Sequence, residues 1–363
     1  MRRFIPLALA CVAPTLSAQS IFDAGVRVAP QFHSYKIEAP SNIKISEFAL
    51  PLFVSVPITP RFGFDVGTSY VRARVEPTGG TVSEITGLTD TQVRANLNLG
   101  SDFVILTAGL NLPTGKREVV AAQANAASLI GSDFLSFPIS QMGAGFGGTA
   151  GIAVARPMGE WSLGFGLSMR QTTEYEPYAA NGAQNFRYQP GNEYRGRVGL
   201  ERPVGTGRFL LGLTYSTFGD DNLAGSIYNT GDRYLSQLSF DNSLGTGHVT
   251  LNAWNLFRTK GTLADSTLLD HENITNGSVA YGLPVGSAVI EPNVEGRIWS
   301  QVGASTSYLG TVGLRLQFPV AGFAVLPSAG YSIGQIAAAD PLVGVNTTAN
   351  LTGFHATLAI RIR

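Results

Sequence analysis

The chain has 363 residues, and its 25 Lys and Arg balance its 25 Asp and Glu, so the formal net charge is zero. Charged residues make up 14%, against roughly a quarter in an ordinary soluble domain, and there are 43 glycines. An apolar content of 44% argues against disorder, the zero net charge against a nucleic-acid binder held by phosphate neutralisation, and the lone Cys11 against a disulfide framework or a Cys-based zinc site.

The chain opens with a basic pair, Arg2 and Arg3, then an apolar run from Phe4 to Val12, then the small-residue exit Ser17-Ala18. That order is the layout of a secretory leader, and the run is too short to cross a bilayer as a helix. Residues 1–18 are therefore expected to be a signal peptide, and 19–363 one mature domain.

From there on the dominant signal has a period of two. Phe62, Phe64, Val66, Thr68 and Tyr70 alternate with Arg61, Gly63, Asp65, Gly67 and Ser69. Val93 to Leu99, Trp161 to Met169, Tyr194 to Leu200 and Val312 to Phe318 repeat the pattern. Strict alternation over such lengths means that one face meets an apolar medium and the other a polar one. The polar face is built from Gly, Ser, Asn and Arg with few Lys, unlike the water-facing side of a soluble sandwich. Phe62 and Tyr70 share a face eight residues apart, as do Phe323 and Tyr331. That spacing approximates the height of a lipid-facing band between aromatic girdles. The expected fold is all-β, a transmembrane antiparallel up-and-down β-barrel.

Short connectors built on Pro recur at 57–60, 157–160, 203–206, 284–287 and 319–322, with further turns at 100–102 and 242–245. Pro lacks a ladder donor and Gly relieves a tight bend. Between them lie polar or irregular stretches at 38–44, 76–88, 114–143, 173–191, 219–231, 261–276, 300–308 and 335–350. Short turns alternating with long loops predict periplasmic turns, extracellular loops and about sixteen strands, with fourteen as the alternative. The last strand, Phe354 to Arg363, has the alternation that the outer-membrane assembly machinery reads, although it ends in Arg rather than an aromatic residue.

Two segments, Leu88-Thr89-Asp90-Thr91-Gln92 and Leu106 to Lys116 (LTAGLNLPTGK), resemble the outer-membrane proteins grouped under the meta-pathway of phenol degradation. The matching part spans about 30 residues. A broader similarity is to hydrophobic-solute channels of the fatty-acid and toluene type. The resemblance implies a barrel that passes small hydrophobic compounds; it assigns no residue a role.

The inward face is expected to carry Arg61, Asp65, Arg94, Arg170, Glu193, Arg195, Arg197, Glu201, Glu291, Glu295, Arg297 and Arg315. These form either a selectivity lining or a structural ladder of ion pairs. The stretch 114–143 is too apolar for a loop in water, so it is expected to plug the lumen or cap its mouth, with Leu129, Ile130 and Phe134 as gate residues. Gly143-x-Gly145-x-x-Gly148 spells a dinucleotide fingerprint but leads into a strand, not a helix. None of the four His lies in a pattern suited to a Ser–His lipase, so no catalytic residue, metal or cofactor is expected. The reading is an outer-membrane channel for small hydrophobic solutes, with membrane lipid, lipopolysaccharide, the assembly machinery and the solute as partners and no nucleic acid. A non-conducting structural or surface-binding barrel is the alternative, and a barrel enzyme such as a lipase comes third.

Overall fold

The structure is a computed structural model that describes residues 25–38, 42–100, 103–179, 186–320, 323–340 and 345–362. The expected leader, 1–18, lies outside the described residues. Sixteen strand positions close into one antiparallel barrel. In chain order they are β1 (Gly25–Val28 and Gln31–Ile37), β2 (Ile43–Thr59), β3 (Phe62–Pro77) and β4 (Ser83–Leu88 and Thr91–Leu99). Next come β5 (Val104–Leu112), β6 (Gly147–Met158), β7 (Trp161–Thr172), β8 (Glu193–Val204), β9 (Gly207–Phe218) and β10 (Arg233–Leu244). The wall continues through β11 (Gly247–Arg258), β12 (Glu272–Val285), β13 (Ala288–Gln301), β14 (Ser307–Val320), β15 (Phe323–Asp340) and β16 (Val345–Ile362).

Each strand pairs with its sequence neighbours, and β1 closes the ring on β16, with His33 opposite His355. Closure leaves no open edge around the ring, which is how a sheet survives in lipid. Two strands are broken. β1 is interrupted at Ala29-Pro30, where Pro30 has no amide to donate and its carbonyl instead accepts the Leu358 amide at 2.9 Å. β4 is interrupted at Thr89-Asp90, where the chain turns its hydrogen bonds toward a loop described below.

Because the register is continuous, one face can be followed around the wall. The row Arg195, Ser216, Arg233, Arg258, Glu272 passes inward through β8 to β12. The opposite face carries Leu167 and Val312, each 66% exposed, together with Phe165, Val198, Leu213, Val294 and Leu314. An apolar face this wide has lipid as its only suitable medium.

The first and last described residues, Gly25 and Ile362, lie at the same end as the shortest turns. Gly159, Gly205 and Gly286 take φ of +65°, +60° and +61° at the first turn position, as tight two-residue hairpins require. Those turns correct the sequence reading in one respect. Pro57, Pro157, Pro203, Pro284 and Pro319 lie inside the closing residues of their strands, and where a turn is described, the residues after the Pro make it. A second correction concerns 335–350, expected to be a long loop. There β15 runs on to Asp340 and β16 starts at Val345, so only 341–344 separates them.

Candidate functional site: a loop folded into the barrel

The longest connection runs from the end of β5 to Gly147 at the start of β6. Its base is tied by one carboxylate. Asp90, at the break in β4, accepts the Gly115 amide at 2.9 Å, the Ala144 amide at 2.7 Å and the Asn111 side-chain amide at 2.8 Å. The Asp90 amide in turn donates to the Met142 carbonyl at 3.0 Å, and the Lys116 amide to the Leu88 carbonyl at 3.0 Å. The entry and exit of the loop thus meet at a single side chain, 7% exposed. Gly115 has no substitute here: a Cβ would stand 2.2 Å from the Met142 carbonyl oxygen and 2.5 Å from the Asp90 nitrogen. Thr114 completes the knot, its hydroxyl 2.8 Å from that of Thr91. Charge-assisted bonds to buried amides are among the stronger ones, worth about 1.5–3 kcal/mol each.

Beyond the base, a 3-10 turn (Ala121–Gln123) runs into a short α-helix, α1 (Ala124–Ile130). Seven residues are too few to hold a helix in water, so packing holds it. Ala126, Ile130, Phe134, Leu135, Phe137 and Met142 are buried in one cluster with inward residues of the wall. Their wall partners include Tyr35 and Ile37 of β1, Ile45 of β2, Val71, Ala73 and Val75 of β3, Leu309 of β14 and Leu351 of β16. Burying each large side chain contributes about 1.5–3 kcal/mol. These strands lie on both sides of the β1–β16 closure, so the loop spans a broad arc from inside the barrel.

Polar anchors fix what the apolar contact leaves loose. Arg297 of β13 donates to the Phe134 carbonyl at 2.7 Å while its other nitrogen pairs with Glu295 at 2.7 Å. Tyr35 donates its hydroxyl to the Leu135 carbonyl at 3.1 Å, and its ring meets Phe137 edge-on at 5.5 Å. Glu47 of β2, fully buried, accepts the Ile139 amide at 3.0 Å. Arg258 of β11 bridges Asp133 of the loop at 2.8 Å and Glu272 at 3.0 Å. Ser83 donates to the Ala122 carbonyl at 2.7 Å and accepts the Ala126 amide at 3.2 Å. At the mouth, Val119 bridges to Tyr178 of the loop between β7 and β8.

The register places eleven of the twelve expected lumen residues on the inward face. Asp65 faces Arg94 across β3 and β4 and accepts from Ser55 and Asn96. Arg170, Glu193, Arg195, Arg197 and Glu201 share the inward side of β7 and β8. Arg315 pairs with Glu291 at 2.6 Å, and Arg297 with Glu295. Arg61 is the exception: it sits in the exposed turn between β2 and β3, where the alternation has ended and no wall remains to aim it inward. Of the gate residues, Ile130 and Phe134 are buried against the wall and Leu129 is partly buried. They therefore seat the loop. Sequence reasoning missed Asp90, Glu47, Tyr35 and Ser83. Asp90 and Thr114 lie within the segments that carry the family resemblance, which was the available signal. Gly145, in the glycine spelling, takes φ +78° against the Tyr175 ring and belongs to the loop's exit.

A closed, even-stranded barrel with an apolar outer belt is a membrane-spanning barrel of the outer-membrane kind. No protein-family model matches the sequence, and no curated protein does. The chain is similar in fold to a crystal structure of an outer membrane channel from Pseudomonas putida F1, at 12% identity over 94% of this chain and 96% of that one, TM-score 0.39. It is similar to the CymD monoaromatic hydrocarbon channel at 11% identity over 93% and 88%, TM-score 0.42. It is also similar to Pseudomonas putida OprB at high pH, at 12% identity over 94% and 93%, TM-score 0.49. The likeness is one of barrel architecture.

Proposed function

We propose that the protein is an outer-membrane channel for small, largely hydrophobic solutes, without chemical turnover. The observation that carries this reading is the apolar loop packed against the inner wall. A barrel that served only as a surface scaffold has no need of a buried apolar plug. A plug that narrows the lumen and offers few charged groups penalises hydrated ions, which lose water without gaining a ligand, and disfavours an apolar solute far less. The resemblance of residues 88–92 and 106–116 to the phenol meta-pathway proteins points the same way, and those residues form the knot at the base of the loop.

Changing Leu129, Ile130 and Phe134 together to Ser tests the reading. Ile130 and Phe134 seat the loop, so the triple variant should release it. Ion conductance in planar bilayers should then rise, and uptake of a hydrophobic solute should lose its advantage over a polar one of equal size. If neither changes, the loop does not gate, and the structural barrel becomes the better reading.

A further inference from the structure

The loop leaves one part of the wall to itself. Among the described residues, no member of the buried cluster comes from β5 to β10. Following the register inward through β7 to β10 gives five arginines: Arg170, Arg195, Arg197, Arg208 and Arg233. The same stretch carries three acids, Glu193, Glu201 and Asp241, and no Lys. The arc therefore holds an excess of two positive charges in a chain whose formal net charge is zero.

Two of its arginines are more accessible than the two that hold the loop, whereas Arg233, opposite Arg258 at the edge of the arc, is partly buried. The Arg195 and Arg208 side chains, paired with Glu193 and with Glu201 and Asp241, are 32% and 46% exposed, against 8% for Arg297 and 20% for Arg258. The wall around Arg197 is low: Gly212 lies one strand over, where a Cβ would stand 3.6 Å from the Arg197 Nη2. Arg197 also reaches Gln237 at 3.3 Å, which lays the guanidinium along the wall. Guanidinium groups present paired donors that match a carboxylate, which the compact ammonium of Lys does not. Low-dielectric walls focus the field of such a stripe into the lumen.

We propose that the β7–β10 arc is an anion-preferring path and that the solutes of this channel are small organic anions, each a carboxylate on an apolar body. The proposal rests on the channel reading and deepens it: the arginines take the carboxylate, and the apolar body meets the small apolar residues that the loop leaves exposed, Val120, Ala121 and Ala124. A neutral hydrocarbon would use only the loop, and an inorganic anion only the arginines.

The experiment is a reversal-potential measurement on the purified protein in planar bilayers under a potassium chloride gradient, repeated in the Leu129, Ile130, Phe134 triple Ser variant. Chloride should be favoured over potassium. Arg197→Gln should lower the chloride preference about twofold and Glu201→Gln should raise it by a similar factor, because each moves the stripe by one charge in the opposite direction. Arg208→Gln repeats the first arm at a second position, and heat-modifiable electrophoretic mobility reports that each barrel is folded. Added benzoate should block the current at lower concentration than either acetate or benzyl alcohol. Cation preference, shifts of the same sign for Arg197→Gln and Glu201→Gln, or equal block by benzyl alcohol and benzoate would overturn the proposal. In that case hydrophobic uptake by the intact protein would keep the channel reading standing. An absence of conductance even in the triple variant would overturn both.

Discussion

Arginine meets two different fates on the two sides of this barrel. On the arc that receives the loop, Arg297 and Arg258 are held between an acid of the wall and a backbone or carboxylate group of the loop. Their charges are spent on structure. On the β7–β10 arc, Arg208 lies near Asp241 and Glu201 at 3.2 and 3.9 Å but stays half exposed. The same side chain is thus a buried loop anchor where apolar residues surround it and stays half exposed where they do not. Context does this through solvent. Burial makes an ion pair costly to break, whereas exposure makes it nearly neutral.

The sharpest way to break the comparison is to truncate one arginine on each side. Arg297→Ala removes the donor to the Phe134 carbonyl and leaves Glu295 with Asn276 but no counter-charge, so it should cost about 3–5 kcal/mol. Urea unfolding in detergent reads this, and a cost near zero would place Arg297 in the lining class. Next in size is the test of which face is which. Leu163, Leu167 or Leu314 changed to Arg near the midplane should each destabilise by about 2–4 kcal/mol, while Ser168→Arg on the inward face should cost much less. Equal costs would mean that the register is misassigned.

Asp90→Asn comes third. It keeps the shape of the clamp but loses the charge and turns one of the two accepting oxygens into a donor that faces another donor, so loop docking should weaken by about 1–3 kcal/mol. Limited proteolysis within 117–141 should speed up while the wall stays folded. A loop as protected as in the parent protein would shift the weight of docking to the buried cluster. The smallest effect belongs to Arg208→Gln, at under about 1 kcal/mol, since a half-exposed pair contributes little. Its thermal midpoint should hardly move, and a drop as large as that of Arg297→Ala would erase the contrast between the arcs.

The wall was readable in the sequence because a membrane strand must alternate, and Trp161 to Met169 or Val312 to Phe318 do so without a break. The loop was readable through composition alone, since Leu129, Ile130, Phe134, Leu135 and Phe137 are out of place in water. Its attachment was not. Glu47 meets Ile139 across 92 residues and Arg297 meets Phe134 across 163. No spacing rule links residues that far apart. Arg61 falls outside the wall because the strand whose alternation turns Asp65 inward begins only at Phe62. The long β15 and β16 were shortened because 335–350 is rich in small and polar residues, and hydropathy does not separate a strand rising above the bilayer from a loop.

A loop that occupies the lumen should hold back ions. Single-channel recording compares the intact protein with a variant in which residues 117–141 are replaced by a short Gly-Ser link, leaving the Asp90 knot in place. The account predicts a small conductance for the intact barrel and a severalfold larger, steadily open one for the variant, as expected when a greasy obstruction is removed from a water-filled barrel. Equal conductance in the two folded proteins would contradict it.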